Sequence, residues 1–593
     1  MTTAIYNSLM GFGEIWVVDF EYPTDANGRP KPVCMVARAR GTGRVIKRWG
    51  RDVRERFPAS ILSSNSLFVS YAHTAEGTSL LACGLALPPH VLDVRVEAQA
   101  AINGLPPPRG QSWNLITHCC HFGVPAMDTE RKKEIRDLII AGRAEEHRSE
   151  VLGYCLEDVI ATDRILSVLV SRGCFDTPQR LRRALLRGQY LNAVSLMEHH
   201  GIPLDVETFH QVRDNLEALR LHVVSDLAGE YGVYEGDSFR AGLFADLLRR
   251  HGRLDSWPRL DRGRLCLKGE TFKQQGQLDP VIERIRIVRD HISALRELKI
   301  PLGADGRVRV GLMPITTRTS RHAAPGSKFI FHLAAWLRSL IQPEPGTGLA
   351  YLDYEAQEFA IMAFLAGDHS MIGAYESGDP YIQTAINLGL APPGATKKNN
   401  KRLRSLVKML LLAVQYGMSE AGLAQALGVR RYEAKRLLRL HQRKYPLMWS
   451  WTRRTASYAR LTGEVESLLG WTDHYTHERN RRQLQNFPVQ SSASDVFRLG
   501  VIMTAEKGVR ILAPVHDGML IEAPLADLTE ATAIARTAME DASRILLDGF
   551  VCRVGVKSFR YPDRYKEDDD FDPIWVSTMC FLRKQLGLPT AVN

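Results

Sequence analysis

An apolar run that ends on an acid, LAYLDY closing at Asp353, is separated by a long basic stretch from a second pair of apolar runs around PVHDGML that flank His516 and Asp517. Strands distant in sequence with helices between them predict a mixed sheet that carries a helical insertion. The breaks around it are the Gly- and Pro-bearing stretch from Pro301 to Lys328 and, ahead of the basic helices, APPGATKKNN. From Thr396 to Tyr445 the chain holds thirteen Lys or Arg and only two acids, Glu420 and Glu433. Within a chain of net charge +11, that concentration favours a polyanionic partner.

The 593 residues are enough for roughly three to five folding units. A hydrophobic share of 45% and a charged share of 24% exclude a disordered, collagenous or membrane-embedded chain. No apolar stretch approaches the ~18 residues that a membrane span needs. The start lacks the basic-then-apolar pattern of a signal peptide, so secretion is not expected. Nine scattered Cys with no CxxC pair read as reduced thiols in a cytoplasmic setting. Cys119 and Cys120, adjacent between His118 and His121, are poorly spaced for one tetrahedral zinc.

The section up to about Ile165 opens on the strand pattern Ile15, Trp16, Val17, Val18, closes on a helix around Tyr154 to Leu166, and reads as α/β. A basic connector, TPQRLRRALLRGQY, leads into a helical region where Ile282, Ile285, Val288, Ile292, Leu295 and Leu298 recur as a core stripe. Near the C-terminus, KEDDDFD runs acidic.

In WVVDFEY, Asp19 and Glu21 leave the same face of a strand and can share metal ions. Tyr154 and Asp158, four apart on a helix, are neighbours on one face, and Glu76 lies between the two segments in sequence. Solvated surface acids would give the same pattern. In this order the segments resemble the three motifs of the DEDDy exonucleases, which fold like ribonuclease H. The resemblance implies 3′ to 5′ phosphodiester hydrolysis, with Asp19, Glu21, Glu76 and Asp158 around two divalent ions and Tyr154 orienting the water. The middle motif departs from the family pattern: Glu76, between Thr74 and Thr78, is the only acid nearby.

In the second half, Arg404, Lys408, Leu412 and Tyr416 are spaced by four along one helix face that starts cationic and ends aromatic, a surface suited to a nucleotide. Arg482, Asn486 and Gln490 repeat the spacing with polar groups able to reach a minor groove. Asp517-Gly518 also reads as a hairpin turn. Taken together, DYEAQE, RSLVKMLLLAVQYG and VHD, with R-x-x-x-N-x-P-x-Q between the last two, resemble motifs A, B and C of family A DNA polymerases. Thr316 and Arg318 look like that family's T-G-R segment, which touches the primer end.

The resemblance implies an α/β multi-domain chain: an exonuclease-like domain over 1–170, a connector and thumb over 171–300, and a right-hand palm over 301–593 with fingers inserted at about 365–475. It implies two-metal phosphoryl transfer from dNTPs to a primer on a DNA template. Asp353, Asp517 and the Tyr354 carbonyl would hold Mg²⁺, two ions in each centre, with Mn²⁺ as an alternative. Arg404 and Lys408 would bind phosphates, Lys408 would protonate the leaving group, Tyr416 would stack near the templating base, and His516 would hold the primer end. Glu358 would exclude a 2′ hydroxyl.

Leu412 stands where Phe or Tyr is usual, Glu355 and Ala356 replace Ser-Gln, Tyr381 replaces a His near the phosphates, and Gly518 replaces a common Glu. The pattern Q-E-F with Leu412 and VHDG looks most like the phage- and plasmid-borne branch. A cytoplasmic monomer is expected. GLAQALGVRRYEAKRLLRLH also reads as a helix-turn-helix, so a DNA-binding regulator is one alternative. The others are a nuclease with a non-catalytic polymerase half and, opposed by Glu358, a single-subunit RNA polymerase.

Overall fold

The computed structural model describes residues 9–108, 111–125, 128–260, 263–276, 279–296, 298–323, 326–475, 481–567 and 572–587. Most of the acidic KEDDDFD run lies outside these residues.

The N-terminal sheet begins with β1 (Glu14–Glu21), whose β-branched and aromatic run Ile15 to Val18 suits a strand covered on both faces. It continues with β2 (Cys34–Ala39), β3 (Val45–Trp49), β4 (Ser66–Ser70) and β5 (Val91–Asp93). The strand order is β3-β2-β1-β4-β5, with β2 antiparallel to both β1 and β3 and with β4 and β5 continuing parallel to β1. Helices α1 (His73–Ala82), α2 (Thr129–Ile140) and α3 (Arg148–Ser171) complete the part that matters for function. In α3 the buried residues Val151, Tyr154, Cys155, Asp158, Val159, Thr162, Ile165, Leu166 and Leu169 recur every three or four, so one helix face both packs and carries the acid. Cys119 and Cys120 divide between interior and surface, and His118 Nδ1 is bonded to the Tyr71 hydroxyl at 2.7 Å, so these four residues form no single site.

The basic connector is a 23-residue helix, α4 (Pro178–His200). It lies against the N-terminal sheet so closely that a Cβ on Gly188 would sit 2.0 Å from the Val91 carbonyl oxygen. The same helix packs on Arg510–Val515, a strand of the second sheet, joining the two halves. The helical region follows with α5 (Leu216–Ala228) and α6 (Pro280–Arg296), and the expected stripe Ile282, Ile285, Val288, Ile292 and Leu295 is buried.

The stretch from Pro301 to Lys328 is anchored at several points. Residues 307–308 pair with 202–203, Arg95 donates to the Pro314 carbonyl, and Asn103 donates to the Arg318 carbonyl. Arg307 lies between Glu522 (2.7 Å) and Glu344 (2.8 Å).

The second sheet has β6 (Thr347–Tyr354), β7 (Arg510–Val515), β8 (Gly518–Pro524) and β9 (Val554–Arg560) in the order β7-β8-β6-β9, all antiparallel. Between β6 and β7 come α7 (Gln357–Ala366), α8 (Pro380–Asn387), α9 (Lys401–Gln415), α10 (Glu420–Leu427), α11 (Arg431–Lys444), α12 (Pro446–Thr462) and α13 (Arg481–Glu506). A strand pair split by a helical insertion is the arrangement the sequence predicts. Helices α10 and α11 form a helix-turn-helix around Gly428 at φ 64°. No helix among the described residues is long and apolar enough to cross a membrane.

Candidate active sites

Strand register brings the first two carboxylates together. Asp353, the next-to-last residue of β6, lies opposite Gly518, so Asp517, one residue earlier in the β7–β8 turn, stands beside it. The turn residues are His516 and Asp517 rather than Asp517 and Gly518: Val515 already pairs with Gly518, and His516 takes the left-handed φ of 57°. Gly518 is needed for close approach, since a Cβ there would lie 2.4 Å from the Leu352 carbonyl and 2.9 Å from Asp353 Oδ1.

Burial, then the charge of Asp517, pushes the Asp353 carboxyl up to about 8. Burial also raises Asp517, with its side-chain contact to Asp353 acting the other way, so both carboxyls sit above their ordinary range and titrate as a pair. Asp353 Oδ1 is buried without a hydrogen-bond partner. Two carboxylates forced together with an unsatisfied oxygen fit a divalent cation, whose charge would remove the repulsion.

A cavity of about 460 Å³ opens over this pair and also gathers Glu358, Tyr381, Lys408, Leu412, Tyr416 and His516. Glu358 is the hub of one wall: its carboxylate accepts from Arg321 (2.8 Å), Gln415 (3.1 Å) and the Tyr416 hydroxyl (3.1 Å), and Gln490 donates to that hydroxyl at 3.0 Å. Arg404 sits beside the cavity, its Nε 2.5 Å from Asp379 Oδ2 and its guanidinium 4.9 Å from the Tyr381 ring centre; Lys408 Nζ lies 5.8 Å from the same ring. The Tyr354 ring is buried, its hydroxyl donating to the Met539 carbonyl at 2.6 Å, which leaves only its backbone to serve the site.

Three of the expected DNA-binding residues lie elsewhere. Arg318 does not line the cavity: its guanidinium pairs with buried Asp473 at 2.9 Å. Arg321 lines it instead, three residues on. Thr319-Ser320-Arg321 also fits T-G-R, and Ser320 adopts the φ of 57° that a glycine takes freely. The signal was present in ITTRTSR, but two arginines there compete and only long-range contacts separate them. Arg482 lines a second cavity of about 380 Å³ beyond the end of α9, with Arg453, Arg481 and Trp449. Asn486 is buried within α13, with Oδ1 unpartnered.

A second acidic cluster lies on the N-terminal sheet. Asp19 and Glu21 project from β1, Glu76 from the first turn of α1, and Tyr154 and Asp158 from α3. Burial, then Asp158, pushes Asp19 up to about 7; burial, then Asp19, raises both Glu21 and Glu76. Asp19 Oδ2 and Glu76 Oε2 are buried and unpartnered, so this donor set also fits divalent cations. Unanticipated from sequence is Lys132 of α2, which reaches Asp158 Oδ2 at 2.7 Å and lies 5.4 Å from the Tyr154 ring centre. The lysine doublet in TERKKEIRDL gives no local sign of that reach.

Residues 328–557 match the family model described as DNA polymerase family A. The chain is 28% identical over 377 residues to the thermostable DNA polymerase I of Thermus thermophilus, covering 58% of this chain and 44% of that one. It is 26% identical over 385 residues to the DNA polymerase I of Chloroflexus aurantiacus, covering 59% and 40%. The chain thus spans less than half the length of these relatives. Among solved structures, the polymerase domain of Pol1 from M. smegmatis, in complex with DNA primer-template and dNTP, superposes with a TM-score of 0.72 at 18% identity, over 94% of this chain and 97% of that one.

Proposed function

We propose, for a chain whose residues 328–557 match the model of DNA polymerase family A, that it extends a primer on a DNA template with dNTPs and trims the primer end at a second centre. The observation that carries the first part is the Asp353–Asp517 pair at the floor of a cavity shared with Lys408 and Tyr416. Asp353, Asp517 and the Tyr354 carbonyl would hold Mg²⁺, which supplies charge neutralisation and activation of the attacking hydroxyl when bound. The primer 3′ hydroxyl gives up its proton to solvent, its oxygen attacks the α-phosphorus, the bond to the bridging oxygen breaks so that pyrophosphate leaves, and Lys408 stands ready to give that leaving group a proton.

Arg404 meets the triphosphate, Tyr416 offers a ring to the base, and His516 with Arg321 faces the primer end. Glu358, fixed by three donors, occupies the place where a 2′ hydroxyl would need room, favouring deoxynucleotides. Leu412, Gly518 and the Ala75-Glu76 middle motif favour the phage- and plasmid-type branch.

The N-terminal reading as a 3′ to 5′ exonuclease of ribonuclease H-like fold is supported by the strand order β3-β2-β1-β4-β5 and by four acids converging beside Tyr154. Lys132, next to Asp158, is suited to hold phosphate charge. The test is a labelled primer-template with Mg²⁺, with and without dNTPs. Elongation with dNTPs and shortening without them are expected. Asp517→Ala should stop elongation and spare shortening, and Asp19→Ala should do the reverse. Absence of elongation in the unaltered protein refutes the polymerase reading; absence of shortening refutes the exonuclease reading alone.

A further inference from the structure

The N-terminal centre contains a group that carboxylate chemistry does not need. Cys155 follows Tyr154 on α3, and its Sγ, a carboxylate oxygen of Asp19 and one of Glu21 all lie within 4.8 Å of one another. Among the described residues, no other three His, Cys, Asp or Glu side chains converge in this way. The thiol is buried and donates to the Asp19 backbone carbonyl at 3.4 Å, which fixes the sulfur on the Asp19 side of the cluster. Asp158, across the cluster, is already paired with Lys132 at 2.7 Å. The two sides therefore differ: one carries a neutralised carboxylate, the other two carboxylates and a sulfur. A separate observation points to a cation-binding role. Glu76 is 3% exposed, its Oε2 has no partner, and it interacts with the charge of Asp19.

We propose that Asp19, Glu21 and Cys155 form a mixed oxygen–sulfur site that selects a borderline-soft divalent cation, Zn²⁺ above Mg²⁺. It rests on reading the cluster as a metal centre. Mg²⁺ takes oxygen ligands and sheds water reluctantly, whereas Zn²⁺ accepts carboxylate oxygen and thiolate sulfur together at about 2.0 to 2.3 Å. On binding, the Cys155 proton leaves to solvent and the sulfur becomes a ligand, with no change of oxidation state. The Asp353–Asp517 centre has no such thiol ligand, so the two centres of one chain should differ in metal preference. Zn²⁺ would take the N-terminal centre first, while excess Mg²⁺ still serves the palm.

The experiment titrates Cd²⁺, a spectroscopic stand-in for Zn²⁺, into the full chain in excess Mg²⁺ and reads the ultraviolet sulfur-to-metal charge-transfer band. One equivalent should saturate the band. Cys155→Ser should abolish it and weaken Zn²⁺ binding about tenfold or more in calorimetry, while Cys120→Ser, at the exposed thiol, should keep it. Asp19→Asn retains the thiol and should weaken Cd²⁺ binding, so the ligand set is tested even if Cys155→Ser fails to fold. Retained primer elongation reports folding. A band that survives in Cys155→Ser, or no one-equivalent band in the unaltered protein, overturns the proposal. Loss of Mg²⁺-supported shortening with the band intact would instead count against the exonuclease reading alone.

Discussion

Arg404 is held by its own neighbour, Asp379, in a contact that the proposed nucleotide site would have to break. Its Nε lies 2.5 Å from Asp379 Oδ2, with each side chain 24% exposed. After solvent screening, a pair of that exposure is worth about 1 kcal/mol or less. If Arg404 binds phosphate as proposed, an incoming triphosphate must displace the carboxylate from the guanidinium, so deleting the negative charge returns up to that amount to binding. At 1.4 kcal/mol per tenfold, a contribution of about 0.5 to 1 kcal/mol is about a two- to fivefold fall in KM for dNTP. The substitution must spare the cap that Asp379 makes by accepting from the backbone N–H of Tyr381 (3.0 Å) and Ile382 (3.2 Å) at the start of α8. Asn caps as well as Asp, so Asp379→Asn isolates the charge. Because Asp379 does not line the cavity over the reacting groups, kcat should hold. Steady-state primer extension across dNTP concentrations, at low and high salt, checks this; the gain should shrink with salt as the ion pair itself is screened. A KM that is unchanged or higher in Asp379→Asn refutes the view of Arg404 as a phosphate ligand in competition with Asp379.

Glu358→Ala removes the acceptor shared by Arg321, Gln415 and Tyr416 and opens the wall, so ribonucleotide use relative to deoxynucleotide should rise about tenfold or more in a competition assay. Glu522→Gln strips buried Arg307 of its closest partner and leaves it half-exposed Glu344, which should cost about 3 kcal/mol. Arg307→Met with Glu522→Leu should recover most of that loss in thermal unfolding, and a double variant no better than the single would show that the pair is not the cause. In metal-free protein the folded state holds the Asp353 proton more tightly than the free carboxyl does. Stability from this pair is therefore present below about pH 4 and is lost as the pH rises through about 8. The thermal midpoint in EDTA should fall over that range, Mg²⁺ should restore it at the upper end, and Asp353→Asn should remove both effects.

Local spacing carried much of this protein into view. The four-residue steps of Arg404, Lys408, Leu412 and Tyr416 place them along one side of α9, as helical periodicity requires, and three of them line one cavity. The two-residue step from Asp19 to Glu21 likewise puts both acids on one face of β1. Apolar runs around a basic helical stretch foretold the split sheet, and the stripe on α6 was core. Such features depend on neighbours in the chain, and the backbone's fixed geometry turns sequence spacing directly into direction.

What sequence alone could not decide involves partners far along the chain. Arg318 and Arg321 are equally cationic in sequence; Asp473 engages the first, and the left-handed turn at Ser320 delivers the second to Glu358. Lys132 reaches Asp158, and Gly518 admits the Leu352 carbonyl, only because separate elements pack at those points. The raised carboxylates are also tertiary in origin, since burial and an opposing acid act only once the strands and helices have met. Side-chain direction is encoded locally by the periodicity of helix and strand, whereas charge partnership and desolvation are set by which surfaces come together.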